Sequence, residues 1–269
     1  MSDSYYSRVN HDLLEAIPVT AAFVLEIGCG AGSLARAYRA RNPRADYIGV
    51  EIVEEVACKA RPYLTHTLVG DIEEAETLSA IDKVCDGRLF DMLILGDVIE
   101  HLRDPWSVLS QLRNRMTAGG LCVACIPNVS HWSVLLQQLH GRWDYTDEGL
   151  LDRTHLRFFT LETAIDLLRK SQWSVLEAGA RIINPQKTDE VLGLFQSLAT
   201  SLGIDPEKTR TEPVGISVGD SCKRRFFRQP AIKEGFSLLP KWLMWQIRRI
   251  KICQGALLHG CLSGGMLWS

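Results

Sequence analysis

Short, largely apolar runs alternate with longer segments of helical period, and this alternation constrains the fold more than any other feature. The runs are Phe23–Ile27, Tyr47–Val50, Met92–Leu95 and Leu121–Ile126. Runs this short suit strands that are buried on both faces of a parallel sheet. The segments predicted as helices are Ser33–Arg41, Glu54–Arg61 and Pro105–Met116. Strands alternating with helices predict an α/β fold with a doubly wound, mostly parallel sheet.

Composition narrows the class of protein further. The chain has 269 residues, of which 46% are hydrophobic and 23% charged, which is ordinary for a globular protein and excludes a disordered one. The N-terminus lacks the basic and apolar regions of a secretory signal, and no apolar stretch is long enough to span a bilayer. Scattered cysteines indicate reduced thiols. We therefore expect a cytoplasmic protein.

The charge balance changes sign near Gly219. From Ser221 onward there are nine basic residues and one acidic residue, so this part carries +8 and the first 220 residues carry −10. We therefore predict a domain over 1–219 and a basic, amphipathic C-terminal extension over 220–269. An acidic body is not expected to bind nucleic acid.

The extension has apolar residues on one side of a predicted helix, namely Leu239, Trp242, Leu243, Ile247 and Ile250. Two interpretations stay open. Such a helix can dock on the acidic body, or residues 221–251 can make a peripheral contact with an anionic membrane, at the inner membrane face.

Three glycines follow the first apolar run, at Gly28, Gly30 and Gly32, and a helix is predicted to start at Ser33. Glycine allows a tight turn and lets a ligand approach the backbone closely. The next strand ends in Glu51, where an acid can accept hydrogen bonds from a ribose diol. A dinucleotide site needs a glycine where Ser33 stands. Together with Glu26, the spacing suits a positively charged ligand that has no phosphate.

These motifs resemble those of class I S-adenosylmethionine-dependent methyltransferases. The resemblance covers residues 20–180 and implies a seven-stranded Rossmann-like sheet, methyl transfer as the reaction and S-adenosylmethionine as the cofactor. It implies a ribose-binding acid at Glu51 and an adenine-edge acid at Asp71. The full set of implied cofactor-binding residues is Glu26, Gly28, Cys29, Gly30, Gly32, Glu51, Ile52, Asp71, Ile72, Gly96 and Asp97.

A narrower resemblance concerns the acceptor. The segments Asp97–Pro105, Ile126–Asn128, Gly141–Asp147 and Asp152–Thr160 are similar to those of bacterial methyltransferases linked to glycosyltransferases and surface-polysaccharide assembly. This implies O-methylation of a sugar hydroxyl or a related small-molecule acceptor, and association with a glycosyltransferase. The polar, aperiodic segment at about 140–158 is interpreted as an active-site insert. Trp143 and Tyr145 in it could stack on a sugar face.

Candidate catalytic residues follow the fourth-strand motif. If the segment after Gly96 is helical, Asp97, Glu100 and His101 share one face. His101 is the predicted general base, because an imidazole titrates near neutral pH. Asp97 and, from the insert, His155 are the further candidates. We interpret His131 and His140 as structural.

The same residues resemble the metal ligands of small-RNA 2′-O-methyltransferases, whose pattern is Glu-x-x-Glu-His with a later histidine. Here the first position is an aspartate, so we expect no metal, with Asp97, Glu100, His101 and His155 as the candidate ligands. Two alternative functions also stay open. One is an NAD-dependent oxidoreductase. The other is a non-catalytic cofactor-binding module that recruits partners through the basic tail.

Overall fold

Strands and helices alternate as the apolar runs predict. The computed structural model describes residues 9–181, 191, 193–194, 197–198, 200–203 and 246–254. The helices are α1 (His11–Ala16), α2 (Ser33–Arg41), α3 (Glu54–Ala60), α4 (Ala75–Cys85), α5 (Pro105–Arg113), α6 (Trp132–Leu139) and α7 (Leu161–Lys170). The strands are β1 (Phe23–Ile27), β2 (Asp46–Glu51), β3 (His66–Val69), β4 (Phe90–Gly96), β5 (Met116–Cys125), β6 (Trp173–Arg181) and β7 (Gln246–Gln254). Single 3₁₀ turns, Arg61–Tyr63 and Ile99–His101, follow α3 and β4.

The described strands form one sheet of seven, in the order β3-β2-β1-β4-β5-β7-β6. Parallel pairing joins five of them, β3 through β5 in that order, and β7 runs antiparallel to both of its neighbours. The prediction of a mostly parallel α/β sheet is thus confirmed. Parallel pairing does not, however, extend through all seven strands.

Both faces of the sheet are covered, which explains the continuously apolar strands. Leu25 and Leu93 belong to the core on one face, and Val24 and Ile94 to the core on the other. All four side chains are fully buried. Burial on two faces requires apolar residues at successive positions of a strand, whereas a half-exposed sheet requires alternation.

The helix predicted through Ile247 and Ile250 is wrong at those positions, because both residues lie in β7. Residues 246–254 of the predicted extension therefore form a strand between β5 and β6. The remainder of the extension, 220–245 and 255–269, and the boundary at 219 lie outside the described residues. The spacing of Ile247 and Ile250 among basic residues fits a helical period. This spacing does not indicate that the segment pairs with β5 and β6, which are distant from it in the sequence.

Two further differences concern the elements around the site. The helix predicted over Pro105–Met116 ends at Arg113, and Met116 already begins β5. The sequence analysis did not predict β3, because this four-residue strand contains no apolar run. None of its side chains is fully buried. Cys122 and Cys125 are buried in the cores on opposite faces, as their separation in a strand predicts.

The carboxyl ends of three parallel strands meet at one edge of the sheet. Ile27 at the end of β1 lies beside Val50 of β2 and Leu95 of β4. The loops that follow these strands therefore converge, as they do at ligand sites of open α/β sheets. In the described part of the chain, no helix combines the length and the apolar character that crossing a bilayer requires.

Replacing Ile250 with proline tests the position of β7. Ile250 pairs with Ala124 of β5 and with Ala178 of β6. Proline has no amide hydrogen and is poorly tolerated in a central strand, so we expect a loss on the order of 3 kcal/mol. Thermal melting should then shift down by about 6–12 °C. Ile250→Val retains the amide and should melt close to the native protein; an unchanged melting temperature for Ile250→Pro would contradict a central β7.

Candidate active site

The glycine turn connects β1 to α2 through three left-handed residues. Gly28, Gly30 and Gly32 have φ values of +69°, +54° and +76°. A Cβ on Gly28 would lie 2.7 Å from Val98 Cγ2, and one on Gly32 would lie 3.0 Å from Ala60 Cα. Only glycine combines this conformation with such close approach. The turn predicted from the sequence is therefore present, and its glycines allow Val98 and Ala60 to pack closely against its backbone.

Glu51, at the end of β2, holds the glycine turn in place. One of its carboxylate oxygens accepts from the Gly30 amide at 3.0 Å, and the other accepts from the Val53 amide at 3.0 Å. The side chain is buried. Each oxygen keeps a further lone pair, so the carboxylate can also accept hydrogen bonds from a ligand. The next residue, Ile52, is 63% exposed and presents an apolar surface at the same edge.

Glu26 lies beneath the turn in β1 and is buried. Tyr47 donates its hydroxyl hydrogen to Glu26 Oε2 at 2.9 Å. Burial, and secondarily the charge of Glu51, raises the pKa of Glu26 from 4.5 to about 8, although the Tyr47 hydrogen bond acts in the opposite direction. Cys29 packs against Gly49, since a Cβ there would lie 2.7 Å from Cys29 Sγ, and burial raises the pKa of the thiol. The Cys29 side chain is thus part of the core, and only its backbone lines the turn.

The loop after β3 carries Asp71 and Ile72. Ile72 is buried in the core. Asp71 Oδ1 accepts from the Glu73 amide, while Asp71 Oδ2 lies 3.2 Å from Arg103 Nη2. Arg103 also contacts the carboxylates of Glu73 and Glu74, so it links this loop to the loop after β4. No local pattern predicts this link, because only the fold brings Arg103 beside the acids of the other loop.

Gly96 and Asp97 end β4 at the same edge. A Cβ on Gly96 would lie 2.8 Å from Leu13 Cδ1, so glycine lets α1 pack against the strand. Asp97 has a φ of +54°, and its amide donates to Cys125 O. Non-glycine residues adopt this conformation rarely and often at functional sites. Asp97, itself a candidate catalytic residue, thus holds a left-handed backbone conformation at the end of β4.

The segment after Asp97 is a 3₁₀ turn, and the α-helical face predicted for Asp97, Glu100 and His101 is therefore wrong. His101 directs Nδ1 toward Thr154 O at 3.2 Å. Glu100 is 1% exposed, and neither of its carboxylate oxygens has a hydrogen-bond partner among the described residues. Burial, followed by the charges of Asp97 and Asp152, raises the pKa of Glu100 well above its usual value.

The insert folds back over this turn and brings His155 to His101. Glu100 O accepts from the amides of Leu156 and Arg157, at 2.9 and 3.0 Å. The His101 and His155 rings lie 4.8 Å apart, edge to face. Burial and then His101 lower the pKa of His155. Two histidines 54 positions apart in the chain, predicted as catalytic candidates and as joint candidate metal ligands, therefore form one cluster.

Three of the four candidate metal ligands are grouped in space. One ligand atom from each of Glu100, His101 and His155 lies within 4.8 Å of the others, and Asp97 is not part of this group. A carboxylate and two imidazoles are a donor set that borderline divalent metals accept. These three side chains could therefore hold a divalent cation.

Aromatic side chains of the insert lie near the cluster. Trp143 packs edge to face on Phe158 at 5.3 Å, and Phe158 also contacts His155. Tyr145 is 56% exposed. His131 caps α6 and His140 bonds to Leu136 O at its other end, as expected for structural histidines.

Comparison with known proteins identifies similar sequences. A family model described as a methyltransferase domain matches residues 3–178. A ubiquinone biosynthesis O-methyltransferase of Cereibacter sphaeroides is 24% identical over 187 residues, which cover 69% of this chain and 73% of that protein. One of the same description from Roseobacter denitrificans is 28% identical over 181 residues, covering 65% of this chain and 69% of the relative.

Among solved structures, a SAM dependent methyltransferase from Archaeoglobus fulgidus has the same fold. The TM-score is 0.53 at 16% sequence identity, and the match covers 91% of this chain and 92% of that one. The similarity extends over nearly the whole chain, so it supports the Rossmann-like architecture described above.

Replacing Glu26 with glutamine tests the buried acid. Between pH 4.5 and about 8, the unfolded chain loses a proton that folded Glu26 retains. Stability is therefore expected to fall as the pH rises through this window, at about 1.4 kcal/mol for each unit of difference in pKa. Glutamine cannot ionise and can still accept from Tyr47. Urea unfolding at the two ends of the window should show Glu26→Gln gaining a few kcal/mol relative to the native protein at the alkaline end.

The matched control is Glu55→Gln, which changes an exposed acid in the first turn of α3. Its stability relative to the native protein should not vary with pH. A difference between Glu26→Gln and the native protein that stays constant across the window would contradict a protonated Glu26.

Proposed function

The chain belongs to the methyltransferase-domain family, as a class I S-adenosylmethionine-dependent enzyme, and on that premise we propose that it methylates a hydroxyl oxygen. The acceptor is a sugar or a related small molecule, and His101 is the general base. The observation that carries the proposal is the orientation of His101 at the edge of the sheet where the donor loops converge. Family membership favours methyl transfer over the NAD-dependent and non-catalytic alternatives.

The residues around the glycine turn fit the donor. S-adenosylmethionine supplies an electrophilic methyl group on a positively charged sulfur. Glu51 would accept hydrogen bonds from the ribose hydroxyls through its remaining lone pairs. The three left-handed glycines put no side chain of their own between the turn backbone and the donor, and exposed Ile52 offers apolar surface to the adenine. Asp71 and Ile72 would lie at the adenine edge.

Asp97 at this edge suits the positive charge of the donor, whereas Glu26, whose pKa is raised to about 8 by burial, would contribute a hydrogen bond and no charge. Glu26 and Asp97 are candidates for its methionine portion, together with Gly96. In-line methyl transfer depends mainly on positioning the two reactants, so these contacts contribute by orienting the donor toward the acceptor.

The tautomer of His101 supports its role as a base. Thr154 O is a carbonyl oxygen and can only accept, so the neutral ring carries its hydrogen on Nδ1. Nε2 then holds the lone pair that removes a proton from an acceptor hydroxyl as it attacks the methyl group. His155 packs edge to face against this ring and restricts its rotation.

The proposal of a sugar acceptor is based on aromatic residues of the insert. Trp143 and exposed Tyr145 offer rings with polar tips that stack well on sugar faces. The link to glycosyltransferases and surface polysaccharides belongs to this proposal. Peripheral membrane contact, expected through 221–251, also belongs to the proposal, but residues 246–251 lie in β7 between β5 and β6 and do not contribute to it. The names of the curated relatives support O-methylation and favour an intermediate of ubiquinone biosynthesis as the second candidate acceptor.

Glu51→Ala is expected to weaken donor binding by about 1–3 kcal/mol, because the ribose loses a charged acceptor. Calorimetry with S-adenosylhomocysteine measures the change without an acceptor. Glu54→Ala, at the exposed start of α3, is the matched control and should bind as the native chain does. Undiminished affinity in Glu51→Ala would remove Glu51 from the ribose site.

His101→Ala is expected to lower turnover by about 10²–10⁴ while donor affinity stays nearly unchanged. Mass spectrometry with labelled donor and a panel of nucleotide sugars, lipid-linked glycans and intermediates of ubiquinone biosynthesis identifies the acceptor and measures turnover. His140→Ala changes a histidine at the end of α6 and should retain activity.

Treatment with a chelator distinguishes a general-base role of His101 from a metal-dependent reaction. If EDTA leaves turnover unchanged, a metal at Glu100, His101 and His155 is excluded from the reaction. If EDTA abolishes turnover and a divalent cation restores it, the general-base role of His101 is contradicted.

A further inference from the structure

A tight turn in the insert is organised by the Asp152 side chain. Asp152 Oδ1 accepts from the Thr154 amide at 2.8 Å and from the Thr154 hydroxyl at 2.7 Å. Asp152 is buried, and the backbone on either side is tied to Thr146, whose amide donates to Leu151 O and whose carbonyl accepts from Arg153. The carboxylate thus determines both the shape of the turn and the direction of the Thr154 hydroxyl hydrogen.

Hydrogen bonds join the turn to residues next to His101. The amides of Leu156 and Arg157 donate to Glu100 O, and the Arg157 guanidinium donates to Arg103 O. These bonds connect the insert to residues on both sides of His101 along the chain. The approach of Thr154 to the imidazole therefore does not depend on the histidine itself.

Both oxygens of Thr154 face His101 Nδ1 as acceptors. Thr154 O lies 3.2 Å and Thr154 Oγ1 lies 3.3 Å from that nitrogen. A hydroxyl has a single hydrogen, and an ionised carboxylate can only accept, so the Thr154 hydrogen is directed to Asp152. The lone pairs of Oγ1 are then turned to Nδ1. A hydroxyl released from Asp152 could rotate and donate to Nδ1, which would favour the opposite tautomer.

We propose that Asp152 and Thr154 are positioning residues that hold His101 in the tautomer with its hydrogen on Nδ1 and its lone pair on Nε2. This inference rests on the proposed role of His101 as the base. Asp152 does not touch the reacting atoms; it acts through the threonine hydroxyl. The relay consists of a carboxylate, a hydroxyl and an imidazole, brought together from residues 101, 152 and 154.

Nitrogen NMR of the full chain, labelled with ¹⁵N-histidine, tests the proposal without an acceptor. Spectra are recorded at a pH about two units above the ordinary imidazole pKa near 6.5, where the ring is neutral. The native chain should show the His101 hydrogen on Nδ1. Asp152→Ala should shift the population toward the tautomer with the hydrogen on Nε2, and turnover on the acceptor found by the panel should fall about threefold to tenfold with donor affinity unchanged.

The double variant Asp152→Ala with Thr154→Val separates positioning from mere structural support. It removes the hydroxyl that could donate to Nδ1 and keeps the Thr154 carbonyl, so the native tautomer and part of the turnover should return. A purely structural role predicts that the double variant is no better than Asp152→Ala. Glu148→Ala changes an exposed acid of the same insert, so it is the matched control and should match the native chain in both measurements.

Several results would overturn the proposal. They are a native His101 with its hydrogen on Nε2, an unchanged tautomer in Asp152→Ala, or a double variant that recovers nothing. Full turnover in His101→Ala would contradict the proposed function, and this measurement is independent of the tautomer of His101 in the native chain. In that case the nitrogen spectra still decide whether Asp152 sets the tautomer.

Discussion

The donor side of the site depends on hydrogen bonds from three backbone amides of the glycine turn to acceptors at the end of β2. Val50 O accepts from Gly28 and Cys29, and the Glu51 carboxylate accepts from Gly30. Amides buried without acceptors would cost too much for the turn to keep its left-handed residues. The turn is therefore a property of β1 and β2 together, and the parallel register that places their ends side by side is what makes it possible.

The acceptor side is assembled differently, from irregular backbone. The insert has few ladder bonds of its own, and it is held by hydrogen bonds to Glu100 O and by polar side chains. This explains why the segment is dense in charged and aromatic residues and lacks a period. Its polar groups satisfy one another around His101, and an apolar sequence could not do so.

Acids that look alike in the sequence have different chemistry in the structure. The Glu51 carboxylate accepts hydrogen bonds from two backbone amides. Buried Glu26 accepts one hydrogen bond, from the Tyr47 hydroxyl, and buried Glu100 has no hydrogen-bond donor to its carboxylate among the described residues. Burial favours the neutral form and raises the pKa of both latter groups. The order of residues in the chain does not reveal this, because desolvation depends on what packs around each carboxyl.

The sequence by itself determined the alternation of strands and helices, the glycine turn and the acid that follows β2. Each of these depends on residues close together in the chain, where conformational preference and hydrophobic period act directly. Only the tertiary structure decided that residues 246–254 form a strand between β5 and β6, that Arg103 joins two loops, and that His101 meets Thr154 across 53 positions. Such contacts leave no local pattern, since pairing and hydrogen bonding between distant segments are selected by the packing of the whole sheet.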